Sequence, residues 1–376
     1  MDIKQYADKG IVGLGNLCRI ARVMKKAADG KDITVGMIGG SITQGSLSSS
    51  PETCYAYLVY RWWANKFKDS KVTYINAGIG ATTSQFGVAR AESDLLSYNP
   101  DFVIVEFSVN DKNRAPFQET YEGLIRKILM SPSEPAILIL NSVQYDDGAS
   151  AQEIHNEIGR AYDLAMISMK DSLYAEVAAG RMVRGDITPD DLHPNDTGHK
   201  LVSEIVNYTL DKIYDEVFSG EYQDSYRIPE QTVTPNRYMD SLRYDNRNIR
   251  PALKDFETDF TKQEQITDIF RNGWKAANKG ASIHFEVKGT MISVQYRRTV
   301  KRTAPIAKAV IDGDESSAVI LDGNFDETWG DCLYLTDLLT GGEDRLHTLD
   351  IEIIEADEAG GIDFYLVSVI AADRTA

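Results

Sequence analysis

The chain of 376 residues reads as two domains. An α/β domain on a parallel sheet, with helices on both faces, precedes an antiparallel β-sandwich. Three observations predict this. From Ile33 to Phe218, short apolar, β-branched runs alternate with amphipathic stretches of helical length, the mark of βαβ units. Residues 219–236 then lose periodicity and gather glycine, prolines and polar groups, as a linker does. Beyond them apolar residues recur at period two in short runs broken by Gly/Asp turns, which argues for a sandwich. The expected division is 1–218, a linker at 219–236, and 237–376.

Ile11 to Ala28 carries Leu14, Cys18, Ala21 and Met24 at helical spacing, and Gly30 closes it. Ile33 to Ile38 is a buried strand that breaks at Gly39-Gly40, so Ser41 sits on the turn leaving it. Cys54 to Phe67 predicts a helix whose aromatic stripe reads as packing. Val72 to Ile75 is a strand, followed by the small-residue run Asn76 to Ser84 and a helix to Leu96 that stops before Asn99-Pro100. Strand Phe102 to Phe107 is apolar except for Glu106 and ends in Ser108-Val109-Asn110-Asp111. Helix Thr120 to Met130, strand Ala136 to Leu140, helix Gln152 to Ala165, strand Met166 to Met169 and helix Leu173 to Ala179 continue the alternation. Helix Lys200 to Phe218 closes the domain. In the second half the runs are Ser282 to Val287, Met291 to Tyr296, Ala307 to Ile311, Ala318 to Leu321, Leu346 to Ile354 and Ile362 to Val369.

Composition narrows the function classes. A formal net charge of −17 repels polyanions, so nucleic acid and anionic membrane are poor partners. Cys18, Cys54 and Cys332 stand far apart without a C-x-x-C pair, so neither a disulfide framework nor a cysteine metal site is expected. No apolar run approaches the ~18 residues that span a bilayer. Taking residue 1 as the start, Met1 to Gly10 has no secretory pattern, and the expectation is a cytoplasmic protein. A homo-oligomer is compatible with all of this.

A glycine-flanked serine after a strand lies where α/β sheets place working groups, although a plain βα turn with a serine cap reads equally well. A hydroxyl nucleophile needs a base within hydrogen-bond reach, itself oriented by a third group. Of the five histidines, His284 and His347 fall in the β half and His155 lies mid-helix in a surface or packing position. His193 follows Asp190 at a spacing that folds the carboxylate back onto its own neighbour's Nδ1. Asp196-x-x-His199 repeats that spacing, but reads as a helix cap and its first turn. Backbone N–H groups at Ser41 and at Gly80 or Ala81, with the Asn110 amide, are candidate oxyanion donors, although Asn110 alone also reads as an Asx turn.

Gly39-Gly40-Ser41-Ile42-Thr43, Asn76 to Ser84, Val109-Asn110-Asp111 and Asp190 to Asn195 together resemble the four blocks of the SGNH, or GDSL-type, hydrolases. The resemblance implies a three-layer α/β/α flavodoxin-like fold and a metal-free, cofactor-free Ser-His-Asp triad. By position it makes Ser41 the nucleophile, His193 the general base and acid, and Asp190 its orienting carboxylate. Ser41, Asn110 and the Gly80/Ala81 turn would bind the oxyanion. Two departures stand out: Gly-Gly-Ser replaces Gly-Asp-Ser, and the family's second-block glycine falls on Ala81.

An SGNH domain followed by a carbohydrate-binding-module-like sandwich of jelly-roll type is similar to carbohydrate esterase family 17. That similarity implies removal of 2-O-acetyl groups from imported β-mannan oligosaccharides, with the sandwich folding over the active site. Trp329, in the polar loop Asn324 to Gly330, and Trp274 are the candidate sugar contacts, each open to a core-filling role. Two other readings stay open. One is an SGNH lipase, lysophospholipase or thioesterase; the other is a carbohydrate-binding protein with a degenerate hydrolase half.

Overall fold

Six strands form the sheet of the first unit: β1 Ile11–Gly13, β2 Ile33–Gly39, β3 Val72–Gly78, β4 Phe102–Glu106, β5 Ala136–Asn141 and β6 Ala165–Ser168. Their spatial order is β1-β6-β5-β4-β2-β3, with β2 to β6 parallel and β1 antiparallel on the edge. Counting only the parallel strands in chain order gives 2-1-3-4-5, the flavodoxin-like winding. Its switch point lies between β2 and β4, where connections leave in opposite directions and open a crevice. Ser41 follows β2 and Asn110 follows β4, so this winding brings them to one crevice. In β2, β4, β5 and β6 nearly every residue is buried, because helices cover both faces of a parallel sheet.

The structure is a computed structural model that describes residues 4–263, 269–327, 329–357 and 361–373. The chain divides into two compact units, Met1–Asn236 and Arg237–Ala376. The core of the first joins sheet residues such as Val35, Ile104 and Leu138 to Trp63, Ile205 and Leu210 of the flanking helices. The aromatic helix, Tyr55–Lys66, packs as expected, with Tyr55 and Trp63 fully buried.

Several boundaries differ from expectation. Ile11 to Ala28 is not one helix: the chain forms β1, turns through Gly15 at φ 59°, and becomes helical only over Cys18–Ala28. Helix Gln152–Ala161 ends four residues early, because Asp163 takes a left-handed turn and Leu164 N–H folds back on the Gly159 carbonyl. Residues 219–236 lie within the first unit and are bound to it. Tyr226 OH donates to the Tyr162 carbonyl at 2.8 Å, Arg126 to the Pro229 carbonyl at 2.9 Å, and the Val233 and Thr234 N–H groups to buried Glu122, each at 2.7 Å.

The second unit holds β7 Leu242–Tyr244, β8 Ala252–Lys254, β9 Glu257–Thr258, β10 Trp274–Ala276, β11 Ser282–Lys288, β12 Met291–Arg298, β13 Ile306–Ile311, β14 Val319–Asp322, β15 Cys332–Thr340, β16 Leu346–Glu355 and β17 Phe364–Ala372. They form two antiparallel sheets: β15-β12-β17-β10-β9, with β7 also on β17, and β14-β13-β16-β11-β8. One buried core, including Trp274, Phe285, Val294, Leu349 and Leu366, draws on both sheets, which makes this the antiparallel sandwich expected.

Candidate active site

After β2 the chain is extended at Gly40 (φ −86°, ψ −151°), and Ser41 opens a single helical turn, Ser41–Gln44, that ends at left-handed Gly45. Two of its features demand small residues. A Cβ on Gly39 would lie 2.2 Å from Thr43 Oγ1, and one on Gly40 would lie 2.2 Å from Asn110 Oδ1. In this chain the position of the family's aspartate has no room for a Cβ, because Asn110 Oδ1 fills the space.

His193 reaches Ser41 from a loop 152 residues further along the chain. Its Nε2 stands 2.8 Å from Ser41 Oγ, and its Nδ1 stands 2.6 Å from Asp190 Oδ2. Asp190 Oδ1 accepts the N–H groups of His193 (2.7 Å) and Leu192 (3.1 Å), so the carboxylate is fixed by the loop it orients. Asp191 at φ 66° reverses the chain between them. Partial burial works to raise the Asp190 carboxyl, but the hydrogen bonds from the His193 ring and the two backbone N–H groups outweigh it and hold the pKa below the ordinary value. With Asp190 ionised, Nδ1 carries the proton and Nε2 is left as the acceptor for the serine hydroxyl.

The donors around Ser41 sort themselves by what already occupies them. Gly80 N–H donates to Gln44 Oε1 at 2.8 Å, so Gly80 is not a free oxyanion donor. Ala81 N–H is unoccupied, and Ala81 takes a left-handed φ of 56°. This turn abuts the serine: a Cβ on Gly80 would stand 3.5 Å from Ser41 Cβ. Asn110, held by its N–H to the Phe107 carbonyl at 3.0 Å, buries Oδ1 against Gly40 without a donor, and this assignment of the amide leaves Nδ2 to donate. That leaves Ser41 N–H, Ala81 N–H and Asn110 Nδ2 as the candidate oxyanion donors.

The second Asp-x-x-His pair is structural, in a different way than expected. Asn195, not Asp196, caps the helix Asp196–Ser219, accepting from Gly198 N–H at 3.0 Å. Asp196 instead accepts from Ser49 Oγ, Ser49 N–H and Thr53 Oγ1 at 2.6–2.8 Å, which pull its carboxyl down to about 2. His199 is buried; its Nδ1 accepts from Tyr55 N–H at 3.3 Å, and burial lowers its pKa. His155 is a packing residue, stacked on Tyr121 at 3.6 Å between centroids and paired with buried Asp111 at 3.0 Å. Among the described residues, no group of three or more His, Cys, Asp or Glu side chains is placed to hold a metal ion, and no helix is long and apolar enough to cross a membrane.

In the second unit the two tryptophans separate. Trp274 is 1% exposed and packs edge-on against Phe285 at 5.1 Å, so it is core and cannot meet a sugar. Trp329 is 60% exposed and stands edge-on to Phe325 at 5.0 Å. Arg298 lies over Phe325 and Tyr334 beside it, at 5.4 and 4.9 Å. Thr328 of this loop lies outside the described residues.

A serine after the first parallel strand, relayed through histidine to aspartate at a flavodoxin-like switch point, is the arrangement of a family, and the GDSL-like Lipase/Acylhydrolase profile matches residues 37–201. The chain belongs to that family, the SGNH hydrolases. Over both units it is similar to a two-domain esterase (CEX) active on acetylated mannans. The form of that esterase co-crystallized with mannopentaose superposes with a TM-score of 0.93, 49% identity and 98% coverage of each chain. A second crystal structure of it gives 0.95 and 49%, covering 98% of this chain and 99% of the other. Among curated relatives, the Escherichia coli Thioesterase 1/protease 1/lysophospholipase L1 is 27% identical over 143 residues, 36% of this chain and 65% of that one. An acetylxylan esterase of Xylanibacter ruminicola is 24% identical over 242 residues, 54% of this chain and 47% of that one. The chain thus spans under two thirds of the first and about half of the second.

Proposed function

We propose that the protein is a serine carbohydrate O-acetylesterase that removes acetyl groups, in particular 2-O-acetyl groups of mannosyl units, from β-mannan oligosaccharides. The observation that carries this reading is the 49% identity, across both units, to an esterase active on acetylated mannans. The relay at Ser41 supplies a mechanism. Ser41 Oγ attacks the acetyl carbonyl as His193 Nε2 takes its proton, and Asp190 stabilises the imidazolium. The oxyanion settles among Ser41 N–H, Ala81 N–H and Asn110 Nδ2. Collapse breaks the bond to the sugar oxygen as His193 protonates it and leaves acetyl-Ser41; His193 then takes a proton from water, whose oxygen attacks the acyl carbon, and returns it to Ser41 Oγ as acetate departs.

An acetyl group is too small to bind selectively, so discrimination must come from sugar contacts away from the ester. We assign these in part to the second unit, where Trp329, Phe325 and Tyr334 offer ring faces for stacking. The test is acetyl loss measured by mass spectrometry on acetylated manno-, xylo- and gluco-oligosaccharides, with long-chain acyl esters alongside. Preferential acetate release from mannosyl 2-O positions, abolished in Ser41→Ala, is expected. Turnover unchanged in Ser41→Ala, or a preference for long acyl chains, would overturn the reading.

A further inference from the structure

Glu106, the last residue of β4, is fully buried under the nucleophile turn and takes no part in the proton relay. Its backbone carbonyl accepts from Gly40 N–H at 3.2 Å, immediately before Ser41. Its Oε2 bonds to Thr43 Oγ1 at 3.1 Å, two residues after Ser41. One residue therefore grips the chain on both sides of the serine. Thr43 is held further by Tyr55 OH at 2.8 Å on its hydroxyl and by Asn76 Nδ2 at 2.8 Å on its carbonyl. There is little slack, since a Cβ on Gly39 would fall 2.5 Å from the Glu106 carbonyl oxygen.

The state of the side chain follows from its surroundings. Thr43 supplies a hydroxyl at Oε2, and the Ser142 hydroxyl is a second donor beside the carboxyl. Burial, with a lesser contribution from nearby Asp111, pushes the Glu106 carboxyl up to about 7 despite the hydrogen bonds from Thr43, Ser142 and Gly40 N–H. The titratable groups around it are Tyr55, Tyr121 and Asp111, the last paired with His155, while His199 lies behind Tyr55 and Arg90 donates to the Gly39 carbonyl.

We propose that Glu106 is a positioning residue of the esterase site, setting through Thr43 and Gly40 N–H the turn that aims Ser41 Oγ at His193. This rests on Ser41 being the nucleophile. The experiment measures kcat and KM for 4-nitrophenyl acetate in full-length Glu106→Gln, Glu106→Leu, Thr43→Ser and Thr43→Val, with Ser41→Ala alongside and circular dichroism as the check of fold. Glu106→Gln and Thr43→Ser, which keep the bond, should stay within roughly threefold of wild-type kcat. Glu106→Leu and Thr43→Val, which lose it, should drop kcat by on the order of 10²-fold, as a displaced reacting group does, with KM within about twofold. Wild-type kcat in the Leu and Val variants, a loss confined to KM, or equal damage in Glu106→Gln and Glu106→Leu would overturn the proposal. Activity persisting in Ser41→Ala would overturn the nucleophile assignment first, a failure visible without any Glu106 variant.

Discussion

Gly40 and Asn110 share one space: the position a Cβ would take on the first is 2.2 Å from Oδ1 of the second. The absent side chain before the nucleophile and the amide offered to the oxyanion are thus a single adaptation. Gly40→Ala should displace Asn110 and lower kcat toward the 10²–10³-fold loss typical of one missing oxyanion donor, sparing KM. Asn110→Ala should match it. The double variant should be little worse than either, because both remove the same donor, and a double-mutant cycle on kcat/KM checks this.

Ala81 occupies a left-handed conformation at φ 56°, where a Cβ costs about 1–2 kcal/mol. Glycine removes that strain but adds about 0.4–1 kcal/mol of freedom to the unfolded chain. Ala81→Gly should therefore leave stability unchanged or raise it by up to about 1.6 kcal/mol, with kcat retained because the N–H remains. Ala81→Val should lose both. Thermal melts and steady-state rates decide.

Glu106 links stability to pH. Its folded pKa, about 7, lies above the ordinary 4.5, so the folded state holds a proton that the unfolded chain releases. The contribution is fully present below about pH 4.5 and is lost as pH rises toward 7, a change of about 3 kcal/mol. Glu106→Gln cannot ionise. Its stability relative to wild type, measured by urea denaturation, should improve between about pH 5 and pH 8, and a constant difference would contradict the raised Glu106 pKa.

The tryptophans of the second unit should behave oppositely. Trp274→Ala empties a core position and should cost about 3–5 kcal/mol. Trp329→Ala, at an exposed site, should change stability by less than about 0.5 kcal/mol. It should weaken turnover of acetylated manno-oligosaccharides while leaving 4-nitrophenyl acetate untouched. Substrate-selective kinetics separate the two outcomes.

The site was legible where chemistry has a spacing. Asp190-x-x-His193 closes within one turn of chain, and Ser41 and Asn110 follow apolar runs that read, in their alternation with helices, as buried parallel strands. Glu106 had no such signal, because one carboxyl in an apolar strand looks like an irregularity until Thr43 is seen above it. Gly80 and Ala81 could not be separated in sequence, since only Gln44 reveals which N–H is occupied. Strand edges were the other loss. In β15 only Cys332 and Leu333 are buried and the exposed residues fall at every third position, so Cys332–Thr340 shows no period-two alternation, and β1 is too short to interrupt a helical pattern. Trp274 and Trp329 each neighbour a glycine, and only the register of Trp274 opposite Leu366 puts one of them inside.

Glu122 has a bearing on how such proteins can be taken apart and recombined. Its buried carboxylate accepts from Tyr162 OH, from the Val233 and Thr234 N–H groups and from Thr234 Oγ1, so three of its four donors come from the segment after the last helix. Hydrogen bonds to a charged group are worth about 1.5–3 kcal/mol each. A hydrolase module severed at Ser219 would take three of its four donors from that carboxylate, whereas one carried through Asn236 would bring its latch with it. Any exchange of the β-sandwich for another module is therefore constrained to the far end of a segment that looks, in composition, like disposable tether.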